Sequence, residues 1–347
     1  MKKLLKFISP LAPDDSGACS VLYEMGGITV ICDAGGCAGN VCGFDEPRWF
    51  TKKSALLSAG LRDMDAILGR DDRLVAKLTR AQEQLEREFT AVVGTPVPAV
   101  IATDYKALER MAEKRTGVPC VTVATDGTKL YDKGETEAYL KLFKKFAKEK
   151  LETVKGSAAV IGATPLNTGF TTADEIKAAL MAEGWSQVVC IGLDSGLDEV
   201  RRISRFEKIF VIAPSGIRAG RWLSEEFGLD VEIHSCPVPE SYVAELKKLC
   251  GTFKKALVIH QQMTANGVRE ILGGDTAVGT FFELDKSAAD ENDFHIADEE
   301  DFAEKAQGYD LIVGDISLKR ALGGYEGRWV DLPHFAVSGR TFTAAKI

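Results

Sequence analysis

Residues 11–49 read LAPDDSGACSVLYEMGGITVICDAGGCAGNVCGFDEPRW. A helix is predicted to begin near Ser16, capped by one of the two aspartates before it, and a β-branched strand follows at Ile28–Cys32. Asp33–Cys37 then forms a glycine-rich turn from that strand into the next helix. In α/β proteins such turns lie at the carboxyl edge of a parallel sheet, where ligands bind. The stretch therefore predicts an α/β fold with a binding site at this edge.

Four of the eight cysteines lie in this stretch. Cys32, Cys37 and Cys42 are five residues apart and Cys19 lies one helix earlier, which is not a standard zinc or ferredoxin spacing. Residues five apart do not share a face of a continuous helix, so Gly39 or Gly43 would have to break the helix for Cys37 and Cys42 to converge. Cys32 is expected to be a buried strand residue, whereas Cys19 is either a ligand or a helix core residue.

Cys37 is the strongest candidate ligand, because it directly follows the paired glycines Gly35 and Gly36. These glycines would let backbone N–H groups approach an anionic ligand closely. We expect the positive end of the next helix to lower the pKa of the Cys37 thiol and favour the thiolate, the form that binds iron or zinc. The four remaining cysteines are isolated and are expected to be structural. They are Cys120, Cys190, Cys236 and Cys250.

Short β-branched runs alternate with amphipathic helical stretches along the rest of the chain, a pattern typical of parallel sheets covered by helices. One such helix is predicted at Asp72–Phe89. We predict three Rossmann-like parallel-sheet domains arranged around a central cleft, at 1–152, 153–236 and 237–347. The strand candidates are Ile28–Cys32, Val97–Ala102, Pro119–Val123, Ala158–Gly162, Val188–Gly192, Lys208–Ala213, Val231–His234, Ala256–His260, Ala277–Phe282, Asp310–Gly314 and Trp329–Leu332.

Composition excludes several classes of protein. The 347 residues are 45% hydrophobic and 27% charged, as in a globular protein with a real core. No apolar run approaches the ~18 residues of a spanning helix, so no membrane partner is expected. The net charge of −8 makes nucleic acid an unexpected partner. Lys6 and Pro10 interrupt the first apolar run, which does not match a signal peptide, so we expect a cytoplasmic protein.

The motifs of several common enzyme classes are missing from the sequence. There is no Gly-x-x-x-x-Gly-Lys-Ser/Thr loop for ATP and no Gly-x-Gly-x-x-Gly after a strand for a dinucleotide. His-Glu-x-x-His and Gly-x-Ser-x-Gly are also missing. The four histidines have no metal-ligand spacing. Hydrolase and dehydrogenase functions therefore lack support.

The cysteine stretch resembles the N-terminal cluster-binding region of the nitrogenase component 1 superfamily. Ser16-Gly17-Ala18 is similar to the family's helix start, and Asp33–Cys37 is similar to the turn that carries its second cysteine. Leu68–Leu74 resembles the start of the next helix, and Val100–Asp104 resembles the strand that carries the third cysteine position. Fainter similarity covers most of the remaining chain. Leu332–Gly339 falls near the family's active-site histidine.

The resemblance implies an iron–sulfur site, with departures from the family pattern. Pro13 or Asp14 stands at the first cysteine position and Asp104 at the third, so only Cys37 of the three family ligands is retained. One interpretation is that Cys37 from two subunits, helped by Cys42, Cys19 or Asp104, holds a 4Fe–4S cluster at a dimer interface. The other is that the cluster site is degenerate. We favour the first interpretation, because Cys42 adds a thiol beside Cys37, whereas a degenerate site would be expected to lose thiols. Ser16, Gly35 and Gly36 are the predicted cofactor-binding residues.

The resemblance also implies a function. We expect a nitrogenase-like oxidoreductase component that accepts electrons from a separate ATP-dependent iron–sulfur reductase. The electrons would pass through the interfacial cluster to an unknown substrate, with His334 as the predicted catalytic residue. The partner subunit would be an identical chain or a paralogue. The alternatives are a scaffold or carrier for a metallocluster or tetrapyrrole-like cofactor and, less favoured, a metal-free ligand-binding protein.

Overall fold

The structure is a computed structural model that describes residues 5–342. Among these residues, strands alternate with helices and form three sheets of four, four and five strands, in which every strand pair is parallel. The predicted fold class, three Rossmann-like parallel-sheet units, is confirmed. The domain boundaries at 152 and 236 stay predictions, and we use them to name the first, second and third domains.

The first sheet has the order β2-β1-β3-β4. Its strands are β1 Ile28–Ile31, β2 Ala55–Ser58, β3 Thr90–Val93 and β4 Cys120–Val123. The helices around it are α1 Asp14–Leu22, α2 Gly36–Asn40, α3 Asp63–Leu68, α4 Asp71–Leu85, α5 Pro96–Val100, α6 Tyr105–Thr116 and α7 Tyr131–Phe146.

The first three strands of this sheet end at one level. Ile31, the last residue of β1, pairs with Ser58 at the end of β2 and with Val93 at the end of β3. The segments that follow these strands therefore leave the sheet side by side. We call these three segments, residues 33–45, 59–68 and 94–102, the cysteine edge.

The predicted strand at Val97–Ala102 is wrong. These residues lie largely in α5, and the strand before them, β3, ends at Val93. Pro96 occupies the first turn of α5, where its missing N–H costs nothing, whereas a central strand would lose ladder hydrogen bonds at this proline and at Pro98. The helix predicted to reach Phe89 ends at Leu85, because Glu86 adopts a left-handed conformation with φ of 48°.

The second and third sheets follow the same plan. The second has the order β6-β5-β7-β8 and the third β11-β10-β9-β12-β13. The strands of the second are β5 Val154–Ile161, β6 Gln187–Ile191, β7 Phe206–Val211 and β8 Asp230–Ile233, with helices α8 Pro165–Thr168, α9 Asp174–Ala182, α10 Leu197–Arg201 and α11 Pro214–Phe227. The strands of the third are β9 Ala256–Ile259, β10 Thr276–Thr280, β11 Phe294–His295, β12 Leu311–Gly314 and β13 Arg328–Asp331, with helices α12 Glu240–Lys247, α13 Gln262–Leu272, α14 Glu299–Lys305 and α15 Phe335–Ser338.

Buried polar side chains join the first domain to the second. The Arg48 guanidinium is fully buried and donates hydrogen bonds to both carboxylate oxygens of Glu46, to Glu24 and to the Gly192 carbonyl of the second domain. We call Arg48, Glu135 and their hydrogen-bond partners the domain junction.

Glu135 on α7 is the second centre of the domain junction. Its fully buried carboxylate accepts hydrogen bonds from Thr164, Asn167 and Ser215 of the second domain. Burial raises the pKa of Glu135 to about 8, although these three donors oppose the shift. The interface between the two domains thus combines these hydrogen-bonded polar groups with apolar packing, in which Phe143 of α7 joins the core of the second domain.

No helix in the part of the chain that the structure describes is both long enough and apolar enough to cross a bilayer.

Candidate functional site

Asp33 shapes the turn that carries Cys37. Its carboxylate accepts hydrogen bonds from the Ala38 N–H (2.8 Å) and the Ser58 hydroxyl (2.6 Å), and its carbonyl accepts one from the Leu61 N–H (2.8 Å). Gly35 has a φ of 123° in an open environment, so the backbone conformation, rather than lack of space, requires glycine there. The turn is therefore tied to the segments that follow both β1 and β2.

The segment after Gly35 holds two accessible thiols. Cys37 lies in α2, which has only five residues, and Cys42 lies in the π-helical turn Val41–Asp45 that continues it. Both side chains are half-buried, whereas Cys19 on α1 is fully buried. The helix is broken at neither Gly39 nor Gly43; it continues from α2 into a widened π turn that carries Cys42.

The predicted lowering of the Cys37 pKa is wrong. Burial, followed by the negative charges of Asp15 and Asp33, raises the pKa of this thiol. Burial also raises the pKa of the Cys19 and Cys42 thiols, and the Asp33 charge adds to both shifts. A five-residue helix has a weak dipole at its N-terminus, and nearby carboxylates outweigh it. Asp33 is therefore the carboxylate whose charge raises the pKa of all three thiols.

Asp15 is a site residue that sequence reasoning treated only as a helix cap. It is 3% exposed, and its Oδ1 has no hydrogen-bond partner among residues 5–342. Burial, with the Asp14 charge second, raises the pKa of Asp15 to about 7. The expected capping of α1 by Asp14 or Asp15 is not observed, because the N-cap is Pro13. No sequence signal distinguishes Asp15 from its neighbour.

The other predicted site residues have defined positions. The Ser16 hydroxyl donates to Asp45 (2.6 Å), and Gly36 begins α2. Asp104 does not follow a strand; it caps α6 by accepting hydrogen bonds from the backbone N–H groups of Lys106 and Ala107, both at 3.0 Å. Thr95, which follows β3, donates a hydrogen bond to the Cys32 carbonyl (2.8 Å) and partly opposes the rise in the Cys37 pKa.

His334 lies at the N-terminus of α15 and is 1% exposed. Its ring stacks on His260, with 4.0 Å between the centroids, and its Nε2 lies 3.2 Å from the Leu166 carbonyl. Burial, with the neighbouring His260 second, lowers the pKa of His334 well below its usual range. The ring is therefore neutral at physiological pH.

A cleft of about 1050 Å³ opens between the three domains. Its apolar floor includes Phe281 and Phe282, and its rim carries both acidic and basic side chains. Asp14 lines the cleft, while the adjacent Asp15 acts on Cys37. The N-terminus of α1 therefore separates the interdomain cleft from the thiols.

The cysteine edge exposes large apolar side chains on all three of its segments. Phe44 is 73%, Ile67 74% and Val100 84% exposed. Several exposed apolar side chains on neighbouring segments are typical of an interaction site. The full set at this edge is Phe44, Met64, Ile67, Leu68, Val100 and Ile101.

Fold and site together define a class: three parallel α/β sheets with a cysteine turn at the carboxyl edge of the first. The sequence profile of the nitrogenase component 1 type oxidoreductases matches residues 16–270, and the chain belongs to this family. Proteins of the family bind iron–sulfur clusters, form oligomers and work with a reductase component.

Solved structures agree with this assignment at the level of the fold. The structure described as "Nitrogenase Cp1 at pH 6.5" has a TM-score of 0.71 and 13% identity, over 96% of this chain and 87% of that chain. "Nitrogenase Cp1 at pH 5" has a TM-score of 0.70 and 14% identity, over 99% and 88%. No curated protein matches the sequence.

Proposed function

We propose that the chain is an iron–sulfur oxidoreductase component that holds a cluster, of the 4Fe–4S type, between two chains through Cys37. The partner is a second copy or a paralogue. Electrons arrive from a separate ATP-dependent iron–sulfur reductase and leave for a substrate in the interdomain cleft. The observation that carries the proposal is the set of exposed apolar side chains on the cysteine edge, whose first segment also carries two half-buried thiols.

The donor set of one chain is incomplete, which is consistent with a shared site. Among residues 5–342, no group of three or more His, Cys, Asp or Glu side chains converges on one point. Cys37 and Cys42 are the two accessible thiols of the cysteine edge, so two copies would offer the four thiolates of a 4Fe–4S cluster. A homodimer therefore supplies what one chain lacks.

The electrostatics of the cysteine edge favour a bound cation. No Lys, Arg or His side chain in the described part of the chain forms an ion pair with Asp15, Asp33 or Asp45. Burial raises the pKa of the thiols, and the charge of Asp33 adds to the shift of all three and that of Asp15 to the shifts of Cys19 and Cys37. A metal centre would reverse that effect, because metal binding deprotonates thiols. The residues of two chains together thus fit a 4Fe–4S cluster.

The surrounding residues have separate tasks in this proposal. The bound cluster supplies one-electron transfer. Asp33 holds the turn in place, and α1 forms a thin wall between the thiols and the interdomain cleft. His334, the proposed catalytic residue, is neutral and has its Nε2 within hydrogen-bonding distance of the Leu166 carbonyl, so it can hold a proton at that atom.

Anaerobic reconstitution tests the proposal. We expect about four iron atoms and four sulfides per two chains, with an EPR signal after reduction. Cys37→Ser should lose most of this iron, whereas Cys250→Ser, which alters an exposed cysteine of the third domain, should keep it. Light scattering should give the mass of a dimer. Fewer than about two irons per dimer, or a monomer that retains its cluster, would contradict the proposal.

A further inference from the structure

The segment before α1 is bound to the third domain by one carboxylate. Glu299, the first residue of α14, is 8% exposed. Its carboxylate accepts hydrogen bonds from the backbone N–H groups of Lys6 (2.9 Å), Phe7 (2.8 Å) and Ile8 (2.7 Å). Hydrogen bonds to an ionised acceptor are stronger than those between neutral groups. This single side chain therefore holds three consecutive residues of the segment.

The same segment is hydrogen-bonded to the first domain at its other end. Ala12 donates its N–H to the Ala336 carbonyl of the third domain, and its carbonyl accepts the N–H of Tyr131 at the start of α7, both at 2.9 Å. Ile8 and Ala12 are each 5% exposed and pack in a core made mostly of third-domain residues. Residues 6–13 therefore link the third domain to the first, and we call them the strap.

The helix that holds the strap also supports the floor of the interdomain cleft. Phe302, one turn after Glu299 on α14, packs edge-on against Phe281, with 5.6 Å between the ring centroids. Phe281 lines the cleft, and so does Glu283, whose backbone N–H donates to the Asp132 carboxylate of α7 (2.6 Å). A continuous set of contacts thus leads from the strap through α14 to the floor of the cleft.

We propose that the strap controls access to the interdomain cleft. When the strap leaves Glu299, α14 and Phe281 lose their link to the first domain and the cleft widens. Segments held by few contacts open locally while the rest of a domain stays folded, and the strap depends on one carboxylate for three of its hydrogen bonds. The inference goes beyond the proposed function, because it concerns the opening of the cleft, whatever the cleft binds.

Hydrogen–deuterium exchange of the full chain tests the proposal with three variants. Glu299→Gln keeps the size of the side chain but places an N–H₂ group against backbone donors. Ile8→Ala weakens the strap from its own side and leaves α14 unchanged. Glu304→Gln, at an exposed position on α14, is the control.

The strap and the cleft should respond together. In Glu299→Gln we expect the Phe7 and Ile8 amides to exchange at least about tenfold faster than in the wild type. The Phe282 and Glu283 amides, which are hydrogen-bonded at the floor and rim of the cleft, should exchange at least about threefold faster. Ile8→Ala should accelerate exchange at Phe282 and Glu283 in the same way, and Glu304→Gln should keep wild-type rates.

The amides of β1 show whether the change is local. If strap amides exchange faster while Phe282 and Glu283 stay protected, the strap does not control the cleft and the inference is overturned. It is also overturned if the β1 amides accelerate as much as those of the cleft, because the whole chain is then destabilised. Neither readout depends on iron, so the result is separate from that of the cluster proposal.

Discussion

The domain junction and the cysteine edge differ in how many partners their buried polar groups have. At the domain junction, the Arg48 guanidinium and the Glu135 carboxylate are surrounded by hydrogen-bond partners from two domains. Beside the cysteine edge, Asp15 on α1 has an oxygen without a hydrogen-bond partner in the described chain, and neither Asp15 nor Asp33, whose charges act on Cys37, forms an ion pair there. Buried polar groups normally find partners, so a site that leaves them unmatched is typical of ligand binding.

We therefore expect the domain junction to stabilise the fold and the cysteine edge to bind metal. Changes at the domain junction should lower the free energy of unfolding, while changes at the cysteine edge should alter metal content and self-association and leave the fold intact. Three measurements test this distinction.

The largest change in the free energy of unfolding is expected for Arg48→Ala. The substitution leaves the buried Glu46 carboxylate unpaired, which should lower the free energy of unfolding by about 3–5 kcal/mol. Chemical denaturation of the metal-free protein measures it. Arg218→Ala is the control, because Arg218 pairs with Glu137 at the surface and should cost less than about 1 kcal/mol. Equal losses for the two variants would show that the domain junction is not the more stabilising region.

The architecture of the chain could be predicted from its sequence, because buried parallel strands are short β-branched runs between helices. β1 was predicted to within one residue, at Ile28–Cys32. β2 was missed because its Ala and Leu residues are not β-branched and it lies at the edge of the sheet. β3 was missed because the helix was extended to Phe89 and the strand was assigned to Val97–Ala102 instead.

The candidate site could be predicted only in part. The Gly35-Gly36-Cys37 turn is visible as a local pattern. The rise in the Cys37 pKa comes from burial and then from the charge of Asp15, which lies on another helix, while Thr95 from the segment after β3 opposes it. Contacts between segments far apart in the chain leave no periodic signal in one sequence, so the role of Asp15 required coordinates.

The buried Glu135 carboxyl should make the free energy of unfolding depend on pH. The folded pKa is about 8 and the usual value is 4.5, so the folded state holds its proton over a range where the unfolded chain loses it. The stability that Glu135 contributes is complete below about pH 4.5 and is lost as the pH rises towards 8. We expect the free energy of unfolding to fall by roughly 3.5 kcal/mol between pH 5 and 8.

Glu135→Gln should flatten that pH dependence, and Glu137→Gln, at an exposed position on the same helix, should leave it unchanged. Urea denaturation at a series of pH values measures the slope for each variant. If the wild type and Glu135→Gln lose stability in parallel as the pH rises, another group is responsible and the domain junction does not hold a protonated carboxyl.

The smallest change in folding stability is expected at the cysteine edge. Phe44→Ser and Val100→Ser replace exposed apolar side chains, so the unfolding free energy of the dilute, metal-free chain should change by no more than about 0.5 kcal/mol. The same substitutions should shift the dimer towards monomer in concentration-dependent light scattering, since they remove apolar surface from the proposed interface. Met181→Ser, an exposed methionine on α9, is the control and should alter neither quantity. If the dimer tolerates both cysteine-edge substitutions yet dissociates with Met181→Ser, the interface does not lie at Cys37. The thiols of one chain would then lack the two thiols of a second chain that a 4Fe–4S cluster needs.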